Sequence, residues 1–276
     1  MMQLIADSGS TKTTWLFRDG RNPDVTLHTT GINPVRDKSE TIESVLMPLA
    51  RAGVTDVFFY GAGCIPPYSG MVERVLQAVF PSARIFVESD LLGAARALCG
   101  HSEGIACILG TGSNSCLYDG ERIIQNVSPL GWILGDEGSG AVLGRTLVGD
   151  LLKGQLPHWL LEAFETRFGL TRASIIEAVY RQPQPNRFLA SLVPFLAEQR
   201  REASIHDFLI RQFRLFLVRN VAAYERRDLS VNFVGGVAYQ FEDELREASS
   251  LEGFDIGVVN RSPMDGMARF HQLSIA

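Results

Sequence analysis

Two segments about a hundred residues apart repeat one design, and this repetition restricts the fold more than any other feature of the sequence. The first is "LIADSGSTKTTWLFRDG" at residues 4–20, and the second is "ACILGTGSNSCLYDGER" at residues 106–122. In each, a short apolar strand enters a turn rich in Gly, Ser and Thr, and a second apolar strand ends in an Asp-Gly turn. The repetition predicts two related lobes, each of which opens with a β-hairpin.

The segments between and after these hairpins alternate in pattern. Helical spacing of apolar residues and short buried runs predict helices at 39–52, 71–80 and 91–100 and strands at 56–63 and 83–89. After the second hairpin we predict helices at 138–154, 157–167, 171–181, 187–201 and 204–226, followed by a strand at 231–238 that enters a Gly-Gly turn. Strands that alternate with helices indicate a sheet with parallel strands.

Composition narrows the class of protein. Apolar residues make up 46% and charged residues 21% of the chain, which is typical of a globular protein. The net charge of −5 argues against nucleic acid or an anionic membrane as a partner, because both require a basic face. The sequence contains no run of about 18 apolar residues, which is the length that predicts a membrane span. Asp7 interrupts the apolar run that the core of a signal peptide requires. We therefore expect a cytoplasmic protein with scattered, reduced cysteines.

The centres of both hairpins have the composition of a phosphate-binding turn. Successive backbone N–H groups and hydroxyls around one point suit phosphate oxygens, and Asp7 stands at a strand end where a hydrated Mg²⁺ prefers a carboxylate. The alternative is a pair of hairpins whose side chains cap their own turns. The candidate nucleotide-binding residues are Ser10, Thr11 and Lys12 in the first turn, and Thr111, Gly112 and Ser113 in the second.

Two better-known nucleotide motifs do not fit. "GSGAVLGRT" at 138–146 has Ser139 at the first glycine of a Walker A pattern and Arg145 in place of its lysine. "GTGSNS" at 110–115 has Ser115 where a dinucleotide-binding fingerprint has its third glycine. Neither pattern therefore predicts a site.

Seven segments in this order and spacing resemble the acetate and sugar kinase/Hsp70/actin superfamily and, within it, the BadF/BadG/BcrA/BcrD ATPase family, in particular its N-acetylglucosamine kinases. The segments are "DSGSTKT", "GINP", "ESDLLGA", "GTGSN", "GWILGDEGSG", "FVGGVA" and "SPMDGM", and they span nearly the whole chain. The resemblance implies an α/β protein of two duplicated ribonuclease-H-like lobes, the actin-like ATPase fold, with mixed sheets flanked by helices. It places one lobe at 1–100, completed by a C-terminal helix near 263–272, and the other at 101–262.

Asp90 is the candidate catalytic base. It follows the strand at 83–89 and precedes a helix, which is the position of a residue at the carboxyl edge of a sheet. A sugar hydroxyl must lose its proton as it attacks the γ-phosphorus, and a fixed carboxylate accepts it. On the residues alone a helix N-cap is the alternative, whereas the resemblance favours the base.

The same resemblance implies that Asn33, Asp90, Asn114 and Asp136 bind the sugar, because a hexose needs directional donors and acceptors. Asn33 has a turn residue as its alternative, and Asp136 with Glu137 has the cap of a helix near Gly138. Whether Glu137 and Trp132 contact substrate stays open. Gly235 and Gly236 would let the backbone approach adenosine closely, or would mark only a tight turn.

The resemblance thus implies ATP-dependent phosphoryl transfer to the 6-hydroxyl of an amino sugar, N-acetylglucosamine first, with ATP and Mg²⁺. Glucosamine and N-acetylmuramic acid stay open as substrates, and the helical second half offers a surface for a homodimer. One alternative is an ATPase that activates a radical dehydratase, which requires closely spaced thiolates for an iron–sulfur cluster. The other is a catalytically silent sugar-binding sensor.

Overall fold

Two five-stranded sheets of the same strand order organise the protein, whose computed structural model describes residues 2–9 and 11–272. The first sheet has the order β3-β2-β1-β4-β5, and the second, read from β8 to β10, has the order β8-β7-β6-β9-β10. The strands of the first sheet are β1 (Met2–Ser8), β2 (Lys12–Arg18), β3 (Val25–Thr30), β4 (Val54–Gly61) and β5 (Arg84–Ser89). Those of the second sheet are β6 (Gly104–Leu109), β7 (Ser113–Tyr118), β8 (Ile123–Gln125), β9 (Val231–Val234) and β10 (Ile256–Asn260).

Thirteen α-helices are present in the described residues. They are α1 (Ser39–Leu46), α2 (Ser69–Val79), α3 (Asp90–Cys99), α4 (Gly131–Leu134), α5 (Gly140–Leu152), α6 (His158–Phe168), α7 (Arg172–Tyr180), α8 (Pro185–Ala190), α9 (Val193–Glu198), α10 (Ala203–Phe216), α11 (Gly236–Gln240), α12 (Glu242–Leu251) and α13 (Met264–Phe270). None of these helices combines the length and the apolar character that a bilayer crossing requires.

The predicted duplication is confirmed by the pairing of the strands. In each sheet the first two strands form an antiparallel hairpin, β1–β2 and β6–β7, and the fourth strand pairs in parallel with the first. The two Asp-Gly turns repeat in atomic detail. The carboxylates of Asp19 and Asp119 each accept the backbone N–H groups two and three residues later, at 2.8–2.9 Å.

Apolar residues on both faces of β1 explain why its sequence is a continuous run. Leu4 and Ala6 belong to a core with α1 and α2, while Ile5 belongs to a second core that contains Met264 and Met267 of α13. A strand buried on both faces needs no polar alternation. This sandwich fixes β1 and, with it, the position of Asp7.

Chain contacts divide the described residues into two compact units. The first comprises residues 2–9, 11–102, 119–123 and 262–272, and the second comprises residues 103–118 and 124–261. The large apolar core of the second unit surrounds aromatic residues such as Phe208, Phe213 and Phe233. The lobe limits of 1–100 and 101–262 stay a prediction.

Several elements differ from their predicted limits. The helix predicted at 187–201 is two helices, α8 and α9, because the chain turns at Ser191 and Pro194 lies in the first turn of α9. The helix predicted at 204–226 ends as α10 at Phe216 and continues in wider and tighter turns. β3 is not among the predicted strands; it is an edge strand whose residues are mostly exposed or partly exposed, so it lacks the apolar pattern of a buried strand.

Candidate active site

The carboxyl ends of three neighbouring parallel strands in the first unit bring two of the predicted carboxylates to one edge. Asp7 of β1 is in register with Tyr60 of β4, and Tyr60 is in register with Glu88 of β5. Asp90 comes two residues after Glu88, as the first residue of α3. Because β1, β4 and β5 are adjacent and parallel, Asp7 and Asp90 lie at the same edge of the sheet, where open α/β sheets bind ligands.

The capping function considered for Asp90 belongs to Ser89. The Ser89 side chain accepts the backbone N–H of Leu92 at 3.2 Å, which makes Ser89 the N-cap of α3. The Asp90 carboxylate accepts one hydrogen bond from the other described residues, which the backbone N–H of Leu91 donates at 2.9 Å. Its second oxygen is therefore free to interact with a ligand.

Burial raises the pKa of both carboxylates. The pKa of Asp90 rises to about 6 against the lowering effect of the Leu91 N–H. The pKa of Asp7 rises to about 7, because burial is reinforced by the negative charge of Asp90 and only partly offset by Lys12. Burial with the charge of Asp90 also raises the pKa of the Cys64 thiol to about 12. The edge is thus an electronegative, desolvated site, which favours a cation and a proton acceptor.

Two hydroxyls of the first turn are used inside the protein. Ser8 Oγ and Thr13 Oγ1 hydrogen-bond each other at 2.6 Å, so one hydroxyl donates to the other. The hydroxyl that accepts in this pair keeps its proton for a carbonyl, either that of Ile32, 3.1 Å from Ser8 Oγ, or that of Thr30, 3.2 Å from Thr13 Oγ1. Both residues are fully buried. This part of the turn follows the self-capping alternative, since its hydroxyls fasten the hairpin to the chain after β3.

The two remaining candidates of the first turn that the structure describes, Thr11 and Lys12, are exposed. Thr11 and Lys12 extend into solvent and make no side-chain hydrogen bond or ion pair with the described residues. Ser10 lies outside the described residues. Thr11 and Lys12 are therefore the described side chains of this turn that can donate to an external anion.

Asn33 forms a tight turn beside the loop that follows β4. Its Oδ1 accepts the N–H of Val35 at 3.0 Å, and its own N–H donates to Asp37 at 2.8 Å. Gly63 lies so close that a Cβ there would come within 2.5 Å of Asn33 Oδ1. The turn alternative for Asn33 is thus correct for its oxygen, whereas its Nδ2 has no partner in residues 2–9 and 11–272. Gly63 is not among the predicted site residues, although the sequence "GAG" directly after a buried strand could have indicated it.

The second turn and Asp136 come together in the second unit. The backbone N–H of Ser113 donates to the Asp136 carboxylate, and a Cβ on Gly112 would lie 3.1 Å from Asp136 Oδ2. Burial and the neighbouring charge of Glu137 raise the pKa of Asp136 to about 6, although the Ser113 N–H lowers it. This contact uses the N–H of Ser113 and leaves its hydroxyl for phosphate.

Asn114 lies one residue further along β7. Its Oδ1 accepts the N–H of Ser115 and the side-chain amide of Asn126, each at 2.9 Å. Thr111 is partly buried, and its carbonyl accepts the N–H of Ala141 at the start of α5. The backbone of this turn is thereby fastened to α5, with the Thr111 side chain left unpaired among the described residues.

Glu137 and Trp132 have partners within the second unit. Glu137 is buried and forms an ion pair with Arg219 at 2.9 Å and a hydrogen bond with Asn220 at 3.3 Å. The carbonyl of Trp132 accepts from Arg145. The capping alternative for Asp136 and Glu137 is wrong, because α5 begins at Gly140 and Ser139 provides its cap.

The two glycines after β9 differ in their surroundings. Gly235 has φ = 128°, and a Cβ there would collide with the carbonyl of Leu109. Gly236 begins α11, and a Cβ there would meet nothing within 4 Å. Packing inside the protein therefore explains Gly235 fully, while Gly236 borders open space.

No cluster of three or more His, Cys, Asp or Glu side chains suited to a metal occurs in the described residues. Cys107 and Cys116, which flank the second turn, are fully buried in β6 and β7. Neither thiol is exposed to hold a cluster at a surface.

Comparison with known proteins supports this description. No protein-family model matches the chain, and no curated protein matches it. Among solved structures, the "Putative N-acetylglucosamine Kinase" from Porphyromonas gingivalis is 49% identical with a TM-score of 0.94, over 98% of both chains. The "Putative N-acetylglucosamine Kinase" from Chromobacterium violaceum is 19% identical with a TM-score of 0.76, over 98% of this chain and 99% of that one. A ROK family glucokinase from Streptomyces griseus, solved with glucose and AMPPNP, is 15% identical with a TM-score of 0.58, over 98% of both chains.

Two duplicated sheets of this strand order define a protein of the actin-like ATPase fold. The neighbours at 15–19% identity show only that the fold is shared. The identity of 49% over nearly the full length goes further: the chain belongs to the same family as the P. gingivalis protein.

Proposed function

We propose that this chain is an ATP-dependent sugar kinase that transfers the γ-phosphoryl group to the 6-hydroxyl of an amino sugar, N-acetylglucosamine first. The P. gingivalis protein at 49% identity, named "Putative N-acetylglucosamine Kinase", supports an amino sugar as the substrate. The observation that carries the proposal is that two partly buried carboxylates with raised pKa values, Asp7 and Asp90, lie at one edge of the first sheet. Phosphoryl transfer to an alcohol requires a carboxylate near the metal and a second one as proton acceptor.

Asp90 acts as the general base in this proposal. As the sugar oxygen forms its bond to the γ-phosphorus and the bond to the ADP oxygen breaks, the hydroxyl proton passes to the Asp90 carboxylate. A pKa of about 6 suits this step, because the group is mostly ionised at pH 7 and is a stronger base than an ordinary Asp. Ser89 and the Leu91 N–H hold Asp90 in place from the helix start.

Asp7 is proposed to hold Mg²⁺ through water. Its carboxylate is partly buried and accepts no hydrogen bond from the described residues, so the donor set fits a hydrated hard cation. Mg²⁺, when bound, neutralises negative charge on the phosphate oxygens.

Eight further residues are proposed to bind the nucleotide; one of them, Ser10, lies outside the described residues. They are Ser10, Thr11, Lys12, Thr111, Gly112 and the Ser113 hydroxyl for phosphate, and Gly235 and Gly236 for adenosine.

Asn33, Asn114 and Asp136 are proposed to bind the sugar together with Asp90. In Asn33 and Asn114 the side-chain oxygens are occupied, which leaves the two Nδ2 groups as donors toward sugar hydroxyls. Asp136 supplies an acceptor, since the Ser113 N–H uses only part of its carboxylate capacity. A cytoplasmic location and a homodimer stay predictions of the sequence.

The test is an ADP-release assay with N-acetylglucosamine, glucosamine, N-acetylmuramic acid and glucose, with NMR of the product to identify the phosphorylated oxygen. Asp90→Asn should lower kcat by roughly 10²- to 10⁴-fold and change KM little, because only the base is removed. Asp207→Asn, an exposed Asp of α10, is the matched control and should keep the wild-type rate. Near-native turnover by Asp90→Asn contradicts the assigned base, and ADP release that no sugar stimulates contradicts the kinase.

A further inference from the structure

A cavity of about 730 Å³ lies within the first unit, far from the edge that carries Asp7 and Asp90. Gln3, near the amino end of β1, and Arg96, in the last turns of α3, line it. Asp90 is at the opposite end of α3, a ten-residue helix that is about 15 Å long. The cavity has the size of a small-molecule site and is distinct from the candidate active site.

The charge of this cavity is positive. Arg96 and Arg269 both line it, and no Asp or Glu does among the described residues. Neither arginine forms an ion pair with the described part of the chain. Arg96 donates from Nη1 to the hydroxyl of Tyr60 at 2.8 Å, while its Nε is buried with no partner. Two unneutralised guanidinium groups at one cavity, in a chain of net charge −5, favour an anion.

The surroundings of His271 confirm that positive charge is concentrated here. Its ring stacks on Phe58 at 3.8 Å between ring centres, and its Nε2 lies 2.7 Å from the Tyr60 hydroxyl. Burial, followed by the charges of Arg96 and Arg18, lowers the pKa of His271 to about 4. The imidazole is therefore neutral at pH 7, so the positive charge at this cavity comes from the arginines.

Gln3 adds a second requirement on the ligand. Its side chain is buried, being 7% exposed, and its Oε1 has no hydrogen-bond partner. A buried acceptor without a donor is uncommon in proteins, and a ligand that brings a hydroxyl or N–H group would satisfy it. Phe270, which lies 5.0 Å from the Arg96 guanidinium, supplies an apolar wall.

We propose that this cavity binds a sugar phosphate, with the phosphate between Arg96 and Arg269 and a sugar hydroxyl donating to Gln3 Oε1. The shared chemistry is a phosphate joined to a polyhydroxylated body, which neither inorganic phosphate nor a neutral sugar provides. The inference rests on the cavity and is independent of the proposed kinase activity.

Isothermal titration calorimetry tests this site with N-acetylglucosamine 6-phosphate, glucose 6-phosphate, inorganic phosphate and N-acetylglucosamine as probes. Arg269→Gln should weaken sugar phosphate binding at least about tenfold, because it removes an exposed guanidinium that has no ion-pair partner in residues 2–9 and 11–272. Gln3→Met should weaken the sugar phosphates several-fold and leave the affinity for inorganic phosphate unchanged. Arg74→Gln, an exposed Arg of α2 outside the cavity, is the matched control and should bind as the wild type does.

Thermal melts verify that each variant is folded before titration. Sugar phosphate binding that survives both Arg269→Gln and Gln3→Met, or that Asp136→Asn abolishes instead, places the ligand elsewhere and overturns the proposal. Absence of any sugar phosphate binding by the wild type also overturns it. Loss of ATP-dependent activity with cavity binding retained would contradict the kinase alone, so the two failures are distinguishable.

Discussion

Asp7 and Asp90 lie at the ends of strands that are not adjacent, yet burial and then the charge of Asp90 raise the pKa of Asp7 to about 7. Only β4 separates β1, which carries Asp7, from β5, which Asp90 directly follows. Two desolvated carboxylates held this close destabilise each other when both are ionised. The fold tolerates this repulsion at a place where a bound cation and a transferred proton would relieve it.

The stability of the protein should fall as pH rises through the window set by these two groups. The folded state holds protons on Asp7 and Asp90 up to about pH 7 and 6, whereas the unfolded chain releases them near pH 3.8. The folded state therefore binds more protons between about pH 4 and 7, and the free energy of unfolding decreases with pH there. Asp7→Asn should raise it by roughly 1–3 kcal/mol at pH 8 and by little at pH 4.

Urea unfolding of the metal-free protein at pH 4, 6 and 8 measures this effect. Asp207→Asn should be neutral at every pH, since that side chain is exposed. An Asp7→Asn protein that is less stable than the wild type at pH 8 would show that Asp7 is ionised and well solvated.

The pH dependence of kcat/KM provides a second prediction. Because the base must be ionised, the rate should fall below about pH 6, some two units above the value for an ordinary Asp. The profile is measured with saturating ATP and subsaturating N-acetylglucosamine. An acid limb near pH 4 would mean that Asp90 is not the group that titrates.

The adjacent glycines after β9 should respond differently to alanine. Gly235→Ala should destabilise the protein on the order of 3 kcal/mol or more, since its φ of 128° and the Leu109 carbonyl both oppose a Cβ. Gly236→Ala should fold normally, because the site is open and lies at the start of a helix. Thermal unfolding measures both, and a raised KM for ATP in folded Gly236→Ala would support close approach of adenosine.

The first turn offers a matched pair of substitutions that separates structure from ligand binding. Thr13→Val should lower the free energy of unfolding by about 1–2 kcal/mol, because Ser8 loses a buried hydrogen-bond partner. Lys12→Met should leave stability unchanged and raise the KM for ATP about tenfold, since an exposed cation is removed. Unfolding curves and ATP titrations of both variants check this; the reverse pattern would contradict the division of the turn.

Local pattern predicted more of the fold than of the site. The twin hairpins, the buried strand that ends in Gly61 and the helix after Asp90 follow from apolar periodicity and turn residues, which act over a few positions. The limits of α5 and the break between α8 and α9 were less accurate, because Ser139 and Pro194 act within a single turn. The predicted class with two mixed sheets is confirmed. Its prediction was reliable because the pattern of every segment, strand or helix, is consistent with that class.

What the sequence determined by itself is therefore the duplicated α/β design and the residue types at its turns. The tertiary structure alone decided that Ser8 and Thr13 hydrogen-bond each other and that Glu137 pairs with Arg219. It also decided that Arg96 has no carboxylate partner among the described residues. Hydrogen bonding and desolvation depend on which distant segments meet, and a sequence pattern carries no direct record of those distances.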